Sequence, residues 1–206
     1  MGVGRAIQRL MQARRMNKRI RAAARTELAA VREGEIVRVT GTARPLGAAL
    51  EAPLSLRACV YYGVVVHAWD QLGNVRVLGH EDERLPFTLV DGEARAVVDP
   101  KIATVSSAYD HVTRWRPRAP APDAVEALLA RLGLARHLWM GTSVVELSEA
   151  VLELDEAISV VGAAEREPDP TATPVGGYRD GSLATRLRFA GSSRDPLLLS
   201  DDPSTL

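Results

Sequence analysis

The chain has 206 residues, which is enough for one well-cored domain with an appendage or for two small domains. Its content of 46% hydrophobic and 25% charged residues excludes a largely disordered chain, and its single cysteine excludes an internal disulfide. No stretch reaches the roughly 18 to 20 apolar residues that are needed to cross a bilayer.

The net charge of zero hides an asymmetry along the chain. Residues 1–32 contain nine basic residues and one acid, whereas the rest of the chain has 17 basic and 25 acidic residues. Apolar residues fall near helical spacing from Gly4 to about Glu33, without proline or interior glycine, so we predict one long basic amphipathic helix there. The candidate binding residues of this arm are Arg5, Arg9, Arg14, Arg15, Lys18, Arg19 and Arg21.

Three interpretations of this arm stay open from its residues. Its apolar stripe could pack on the rest of the protein and leave the cations in solvent. An Arg-rich polar face opposite Ile, Leu and Met also suits an anionic membrane surface. Nucleic acid is the third partner that such a charge pattern fits.

The sequence after Gly34 changes to short β-favouring runs separated by turn residues. In residues 35–43, "EIVRVTGTA", alternation predicts a strand with one buried face. In residues 58–69, "ACVYYGVVVHAW", both faces are apolar, which predicts a central strand with Cys59 and Tyr61 on one face and Tyr62 on the other. The residues "LGN" then turn the chain into a partner strand, "VRVLG".

Further along, two local signals are specific. Asp91-Gly92 within "PFTLVDGEARAVVDP" predicts a type I′ β-hairpin. In "DAVEALLARLG", Asp123 is predicted to cap a helix that Gly133 ends. The whole pattern predicts a mainly β (α+β) protein, a small antiparallel barrel or sandwich with one inserted helix and the long N-terminal helix.

Four segments in order carry a resemblance to a known family. "GEIVRVTGTA", "APLSLRACVYY", "PFTLVDGEARAVVDP" and "SEAVLELDEAISVVGAA" resemble the GIDE-type domain, also called the BAM or beside-a-membrane domain. The similarity spans residues 34–164. The mitochondrial E3 ubiquitin ligase MULAN has this domain next to its membrane helices, and many bacterial proteins have it alone.

The resemblance implies a β-rich adaptor or sensor domain close to a membrane. We therefore expect a helical arm at residues 1–33, the β-rich domain at 34–200 and a tail at 201–206. Ligase activity in the family belongs to a separate RING domain with eight Cys and His zinc ligands. This chain has one cysteine and four histidines, so we expect no ligase activity from it.

Candidate reactive residues are few and are expected to be structural. Cys59 would need a base or a positive field to become nucleophilic, and a lone strand cysteine is typically buried. Two polar groups could suggest a metal site or hydrolytic chemistry: His67, Asp70, His80, Glu81 and Asp82, and then Ser106, Ser107, Asp110 and His111. Both lack the further pattern that such sites need, so we predict no catalytic residues, no bound metal and no cofactor.

The strongest binding feature after the arm is the loop "RWRPR". It has the cations Arg114, Arg116 and Arg118 around Trp115, and its alternative role is to cap an open end of the barrel. We expect a non-catalytic interaction or adaptor domain, peripheral to a membrane or within a larger assembly, whose arm docks on anionic lipid or an acidic partner. The alternatives are an OB-like nucleic-acid-binding module and, last, a hydrolase or metal-dependent enzyme.

The expected setting is the cytoplasm, peripheral at the inner face of the membrane, since a single cysteine fits a reducing compartment and the N-terminus lacks the apolar core of a signal peptide. A protein partner or a homo-oligomer fits this setting.

Overall fold

The computed structural model describes residues 14–134, 142–170 and 184–206. The chain divides into two compact units: unit 1 contains residues 1–15, 49–84 and 107–153, and unit 2 contains residues 16–48, 85–106 and 154–206. The described residues form twelve strands and two α-helices, so the protein is mainly β, as the sequence predicted. Helix α1 covers described residues 14–22 and helix α2 is Asp123–Arg131.

The strands, in chain order, are β1 (Ile36–Pro45), β2 (Leu50–Glu51), β3 (Ala58–Asp70), β4 (Val75–Arg84), β5 (Phe87–Asp91), β6 (Ala94–Asp99), β7 (Ala103–Ser106), β8 (His111–Trp115), β9 (Thr142–Glu153), β10 (Ala157–Pro168), β11 (Thr185–Ala190) and β12 (Leu197–Ser200). Two short 3-10 turns, Leu28–Ala30 and Pro100–Ile102, flank strands of unit 2.

Unit 2 is built on a closed five-stranded barrel. Its strands follow the order β1-β5-β6-β11-β10, and β10 pairs again with β1 to complete the ring. All of these pairs are antiparallel except β6 with β11. Strand β10 also pairs with β12, which carries β7 as a further parallel strand. Phe87, Leu89 and Phe189 are fully buried in this unit.

The predicted alternation of β1 is confirmed. Val37 and Val39 are buried, whereas Arg38 and Thr40 are half-buried. Gly41 lies where β1 begins to pair with β5, and a Cβ atom there would lie 2.6 Å from the carbonyl oxygen of Val90. A larger residue would therefore separate the two strands of the barrel.

The hairpin at Asp91-Gly92 forms between β5 and β6, but its turn is not type I′. Asp91 pairs with Ala94, so Gly92 and Glu93 are the two loop residues, and only Gly92 has a positive φ, of 58°. A type I′ turn needs a positive φ at both loop positions, which is unfavourable for Glu93. The Asp91 carboxylate instead accepts the backbone N–H of Leu28 at 3.1 Å.

Unit 1 is an open sheet with β3 at its centre. Strand β3 pairs with β9 on one edge and with β4 and β2 on the other, and β9 pairs with β8. The prediction of a central strand is therefore confirmed. A bulge between Cys59 and Tyr61 changes the predicted alternation, because Cys59 joins the same apolar cluster as Tyr62 rather than the face of Tyr61.

Helix α2 covers one face of the sheet in unit 1. Val125, Leu128 and Leu129 pack in one cluster with β3 and β9. The predicted cap differs by one residue: Pro122 is the N-cap and has no side chain for capping, so Asp123 is the first helical residue. Gly133 ends the helix with a φ of 64°.

The predicted long N-terminal helix is not confirmed. Residues 4–13 lie outside the described residues, and α1 ends at residue 22. Ala24 and Thr26 are instead extended and bond to Arg38, with N···O distances of 2.8 and 2.9 Å. Strand β5 pairs with β1 only from Thr42 onward, so a continued helix would leave the backbone N–H and C=O of Arg38 without these two partners.

The last residues of the chain belong to unit 2. Thr205 is fully buried and its carbonyl oxygen accepts the hydroxyl of Ser159 at 2.7 Å. Ser159 also bonds to Thr40 across β10 and β1, at 3.2 Å. The buried hydroxyl groups of Ser159 and Thr205 therefore both have hydrogen-bond partners.

Candidate interaction surfaces

Helix α1 presents a cationic face to solvent. Met16 and Ile20 are buried and pack against Val161 and Leu198 of unit 2. At about 100° per residue, the basic side chains of α1 lie on the opposite half of the helix. The exposed basic residues of α1 are Arg14, Arg15, Lys18, Arg19 and Arg21.

A polar anchor fixes the buried side of α1. The Asn17 side chain donates to Asp202 at 2.6 Å and accepts the hydroxyl of Ser106 at 2.8 Å. Donation by Ser204, and then by Asn17, holds the pKa of Asp202 below its usual value. The apolar face of α1 is therefore already occupied within unit 2.

The cations of α1 form no close ion pair with the part of the chain that the structure describes. This holds for Arg14, Arg15, Lys18, Arg19 and Arg21, although the charge of Arg21 helps to lower the pKa of Asp202. The other two predicted arm residues, Arg5 and Arg9, lie outside those ranges.

The "RWRPR" loop begins in β8. Its arginines are exposed, but the indole of Trp115 is packed and hydrogen-bonded within unit 1. The Trp115 side chain packs against the cluster of unit 1, and its indole N–H donates to the carbonyls of Ala119 and Pro120 at 3.0 and 3.2 Å. Arg114 donates to Glu146 at 2.8 Å, and Arg116 and Arg118 are exposed.

Cys59 is part of the core. It is fully buried, and burial, together with the charge of Glu149, raises the pKa of its thiol to about 11. The thiol is therefore neutral at physiological pH, and a neutral thiol is a poor nucleophile.

The two adjacent tyrosines have different surroundings. Tyr62 donates its hydroxyl to Glu81 at 3.0 Å, and its pKa lies above its usual value because of burial and this hydrogen bond. Burial raises the pKa of Tyr61 to about 12, and the guanidinium of Arg84 lies 5.5 Å from the centre of its ring.

The possible metal ligands on β3 and β4 do not converge. Asp70 accepts backbone N–H groups of Leu72 and Asn74 in its own turn, Glu81 binds Arg131, and Asp82 binds Arg84. Within the ranges that the structure describes, no three His, Cys, Asp or Glu residues are grouped to hold a metal ion.

The segment "SSAYDH" does not form a catalytic arrangement either. Asp110 makes a two-bond ion pair with Arg57, with N···O distances of 2.6 and 2.7 Å, and this pairing lowers the pKa of Asp110. His111 contacts Thr113 at 3.3 Å, whereas Ser107 donates to the carbonyl oxygen of Val151. Each side chain is engaged with a different structural partner.

One buried charge was missed at the level of sequence. Glu149 is fully buried, and its two carboxylate oxygens accept the backbone N–H groups of Leu54 and Ser55 at 2.8 and 3.0 Å. The signal was present, since alternation along β9 puts Glu149 on the same face as Val145 and Leu147. A carboxylate in an apolar row indicates a buried hydrogen-bonded anchor.

A scan against protein-family models and a search of curated proteins both found no match for this chain. No helix among the described residues is long and apolar enough to cross a membrane. In the part of the chain that the structure describes, the features available for binding are therefore the exposed cations of α1 and of the "RWRPR" loop, whereas most of the other polar side chains described above are engaged in hydrogen bonds within the protein.

Proposed function

We propose that the protein is a non-catalytic adaptor that attaches to an anionic membrane surface through the exposed cationic face of α1. The observation that carries the proposal is that this face holds five exposed basic side chains, of which only Arg21 interacts with an acid in the described ranges, Asp202, while Met16 and Ile20 are buried beneath it. The resemblance of residues 34–164 to the GIDE-type domain supports the same setting, because that domain lies beside membranes.

The stability of the helix does not explain this charge pattern. Arg14 and Lys18 are four residues apart, as are Arg15 and Arg19, and like charges at this spacing destabilise a helix by about 0.2 to 0.5 kcal/mol per pair. An anionic surface would more than offset this destabilisation, because each Lys or Arg close to acidic lipid contributes roughly 1 kcal/mol to the free energy of binding.

Attachment by this face would be electrostatic. The apolar residues of α1 contact unit 2, so its docked form cannot insert them among lipid tails. Binding should therefore require acidic headgroups and weaken as salt shortens the Debye length to about 10 Å at 0.1 M. The expected site is the inner face of the cytoplasmic membrane.

Co-sedimentation with vesicles tests the proposal. Vesicles of phosphatidylcholine alone would be compared with vesicles that also contain phosphatidylserine, at low and at physiological salt. Truncation before Glu33 is unsuitable, because it removes the buried Ile20 and Leu28. The full chain with Arg15→Gln, Lys18→Gln and Arg19→Gln is the sharper variant.

A matched control loses the same charge elsewhere. Arg95, Lys101 and Arg194 are exposed, and their change to Gln also removes three positive charges. We expect the α1 variant to bind acidic vesicles roughly a hundredfold more weakly, at about 1 kcal/mol per cation, and the control to bind like the parent. Equal losses in both variants, or a parent that ignores acidic vesicles, would overturn the proposal. Binding to a single-stranded oligonucleotide instead would favour the nucleic-acid alternative.

A further inference from the structure

Strand β8 forms an edge of the sheet in unit 1. It pairs only with β9, from His111 opposite Glu149 to Trp115 opposite Val145. Among the described residues, no strand pairs with its second edge. Alternate backbone N–H and C=O groups of β8 therefore point away from β9, and such a row is a template for an added strand.

The side chains of β8 leave this edge accessible. Val112 is 48% exposed and the side chain of Arg114 is 72% exposed. Register places both on the sheet face of Ser148 and Glu146, whereas Trp115 packs into the cluster with α2. The open edge thus has one anchored end and two exposed side chains.

The charge along this edge is positive. Arg114 and Arg116 continue the two-residue spacing of the strand, and Arg118 follows. Of the nearby acids, Glu146 is paired with Arg114 and is only 16% exposed, and Asp110 is held by Arg57. A ligand lying along β8 would therefore meet cations at alternate positions.

The opposite edge of the same sheet is built differently. Strand β4 carries both charge signs, with Glu81 bound to Arg131 and Asp82 bound to Arg84. Its pairing with β3 is interrupted by a register shift at Val66 and His67. Bulges and mixed charges are devices that protect an edge strand. Strand β8 has no bulge in its pairing with β9.

We propose that the open edge of β8 binds an extended acidic peptide segment as an added strand, with carboxylates at every second position facing Arg114 and Arg116. Backbone hydrogen bonds would give the affinity and the spacing of carboxylates the selectivity. A second copy of β8 fits less well, because antiparallel pairing about Thr113 would place Val112 opposite Arg114 and Asp110, already held by Arg57, opposite Arg116. This inference goes beyond membrane attachment, since it concerns unit 1 and needs no lipid.

The probe is the synthetic peptide acetyl-Glu-Thr-Glu-Val-Glu-Thr-Glu-amide, added to the full chain without vesicles. Calorimetry measures binding, and hydrogen exchange measures the protection of residues 111–114. We expect binding and slower exchange of those β8 amides that do not bond to β9. A peptide of the same composition with its acids clustered, and one N-methylated at alternate residues, should both bind more weakly.

Two charge-reversal variants separate this site from general electrostatics. Arg116→Glu with Arg118→Glu should weaken binding about tenfold, as expected for two exposed ion pairs replaced by like charges. Arg95→Glu with Arg194→Glu, in unit 2, makes the same charge change and should bind like the parent.

Several results would overturn the proposal. No binding of the alternating peptide, or equal binding of the clustered or N-methylated peptide, would exclude an added strand at β8. Displacement of the peptide by a single-stranded oligonucleotide that binds more tightly would point to nucleic acid. The variant with Arg15→Gln, Lys18→Gln and Arg19→Gln should bind the peptide as the parent does, so failure at β8 and failure of membrane attachment can be told apart.

Discussion

The two units differ in how the unpaired backbone groups at the edges of their sheets are treated. Unit 2 closes five strands into a barrel, and its buried polar side chains at Ser159, Ser200 and Thr205 carry hydroxyl groups. Unit 1 leaves its sheet open and relies on charged anchors, with Glu149 fully buried and Glu81 bound to Arg131. Closure pairs the backbone groups of strand edges, whereas an open sheet keeps edges available for binding. Both units contain ion pairs between strands, such as Arg188 with Asp99 in unit 2, so the units differ in the fully buried carboxylate of unit 1 rather than in whether charges are paired.

Two probes follow the units separately. Trp69 and Trp115 lie in strands of unit 1, and Trp139 lies outside the described residues, so the fluorescence of Trp69 and Trp115 reports on unit 1. Hydrogen exchange measured peptide by peptide reports on each unit. A single unfolding transition seen by both probes would show that the two units unfold cooperatively. Their stabilities could then not be compared separately.

The largest effect is expected from Leu28→Ala in unit 2. Leu28 is fully buried, and removal of its side chain should lower the free energy of unfolding by about 2 to 5 kcal/mol through lost burial and the cavity left behind. Faster exchange in β1, β5 and β6 would confirm it. The control Leu72→Ala changes a side chain that is 87% exposed, and it should alter stability by less than about 0.5 kcal/mol. Equal effects of the two substitutions would contradict the position of Leu28.

The second largest loss of stability is expected from removal of the buried Glu149 carboxylate in unit 1. Glu149→Ala leaves the N–H groups of Leu54 and Ser55 without acceptors, so we expect a loss of about 2 to 4 kcal/mol in urea unfolding followed by tryptophan fluorescence. Glu149→Gln keeps one acceptor oxygen and should lose less. Glu51→Ala, at an exposed position of the same unit, is the control. A Glu149→Ala protein as stable as this control would show that the carboxylate is not an anchor.

The third effect concerns Cys59 and separates a core residue from a reactive one. Cys59→Ser puts a hydroxyl into an apolar cluster and should cost about 1 to 2 kcal/mol. With a thiol pKa of about 11, Cys59 in the parent protein should react with a disulfide reagent at pH 8 only after the protein opens. Its rate should therefore rise steeply with urea. Rapid labelling of the native protein would contradict the structural role.

The elements that could be predicted from sequence are those with a local signal. The alternation of Val37 and Val39 gives β1, the apolar run gives β3 as a central strand, and Gly133 marks the end of α2. Turn and helix boundaries were less exact, because Glu93 and Pro122 impose their own backbone limits. Local pattern predicts which element forms more reliably than how it begins or ends.

What sequence could not supply depends on distant partners. The end of α1 at residue 22 follows from bonds between Ala24, Thr26 and Arg38 of β1, which no local propensity encodes. The bulge that moves Cys59 into the cluster of Tyr62 likewise depends on pairing with β9. For the candidate surfaces, sequence identified the cations of α1 and the arginines near β8, but not that the Trp115 indole N–H is already bonded.

The smallest effect should appear in the pH dependence of the Glu81 pair. Arg131, and then Tyr62, hold the pKa of Glu81 below its usual value, so the carboxylate contributes stability that is fully present at neutral pH and is lost as the pH falls through that lowered pKa. Arg131 is 48% exposed, so the contribution should be less than about 1 kcal/mol.

The difference in unfolding free energy between the parent and Glu81→Gln, measured in urea by tryptophan fluorescence, should be constant above about pH 5 and should shrink as the pH falls below the usual glutamate pKa of about 4.3. Glu51→Gln, at an exposed position of the same unit outside the ion pairs described, should show no such pH dependence. A difference that persists at low pH would mean that Glu81 acts through shape or hydrogen bonding alone. The view that unit 1 depends on charged anchors would then rest on Glu149.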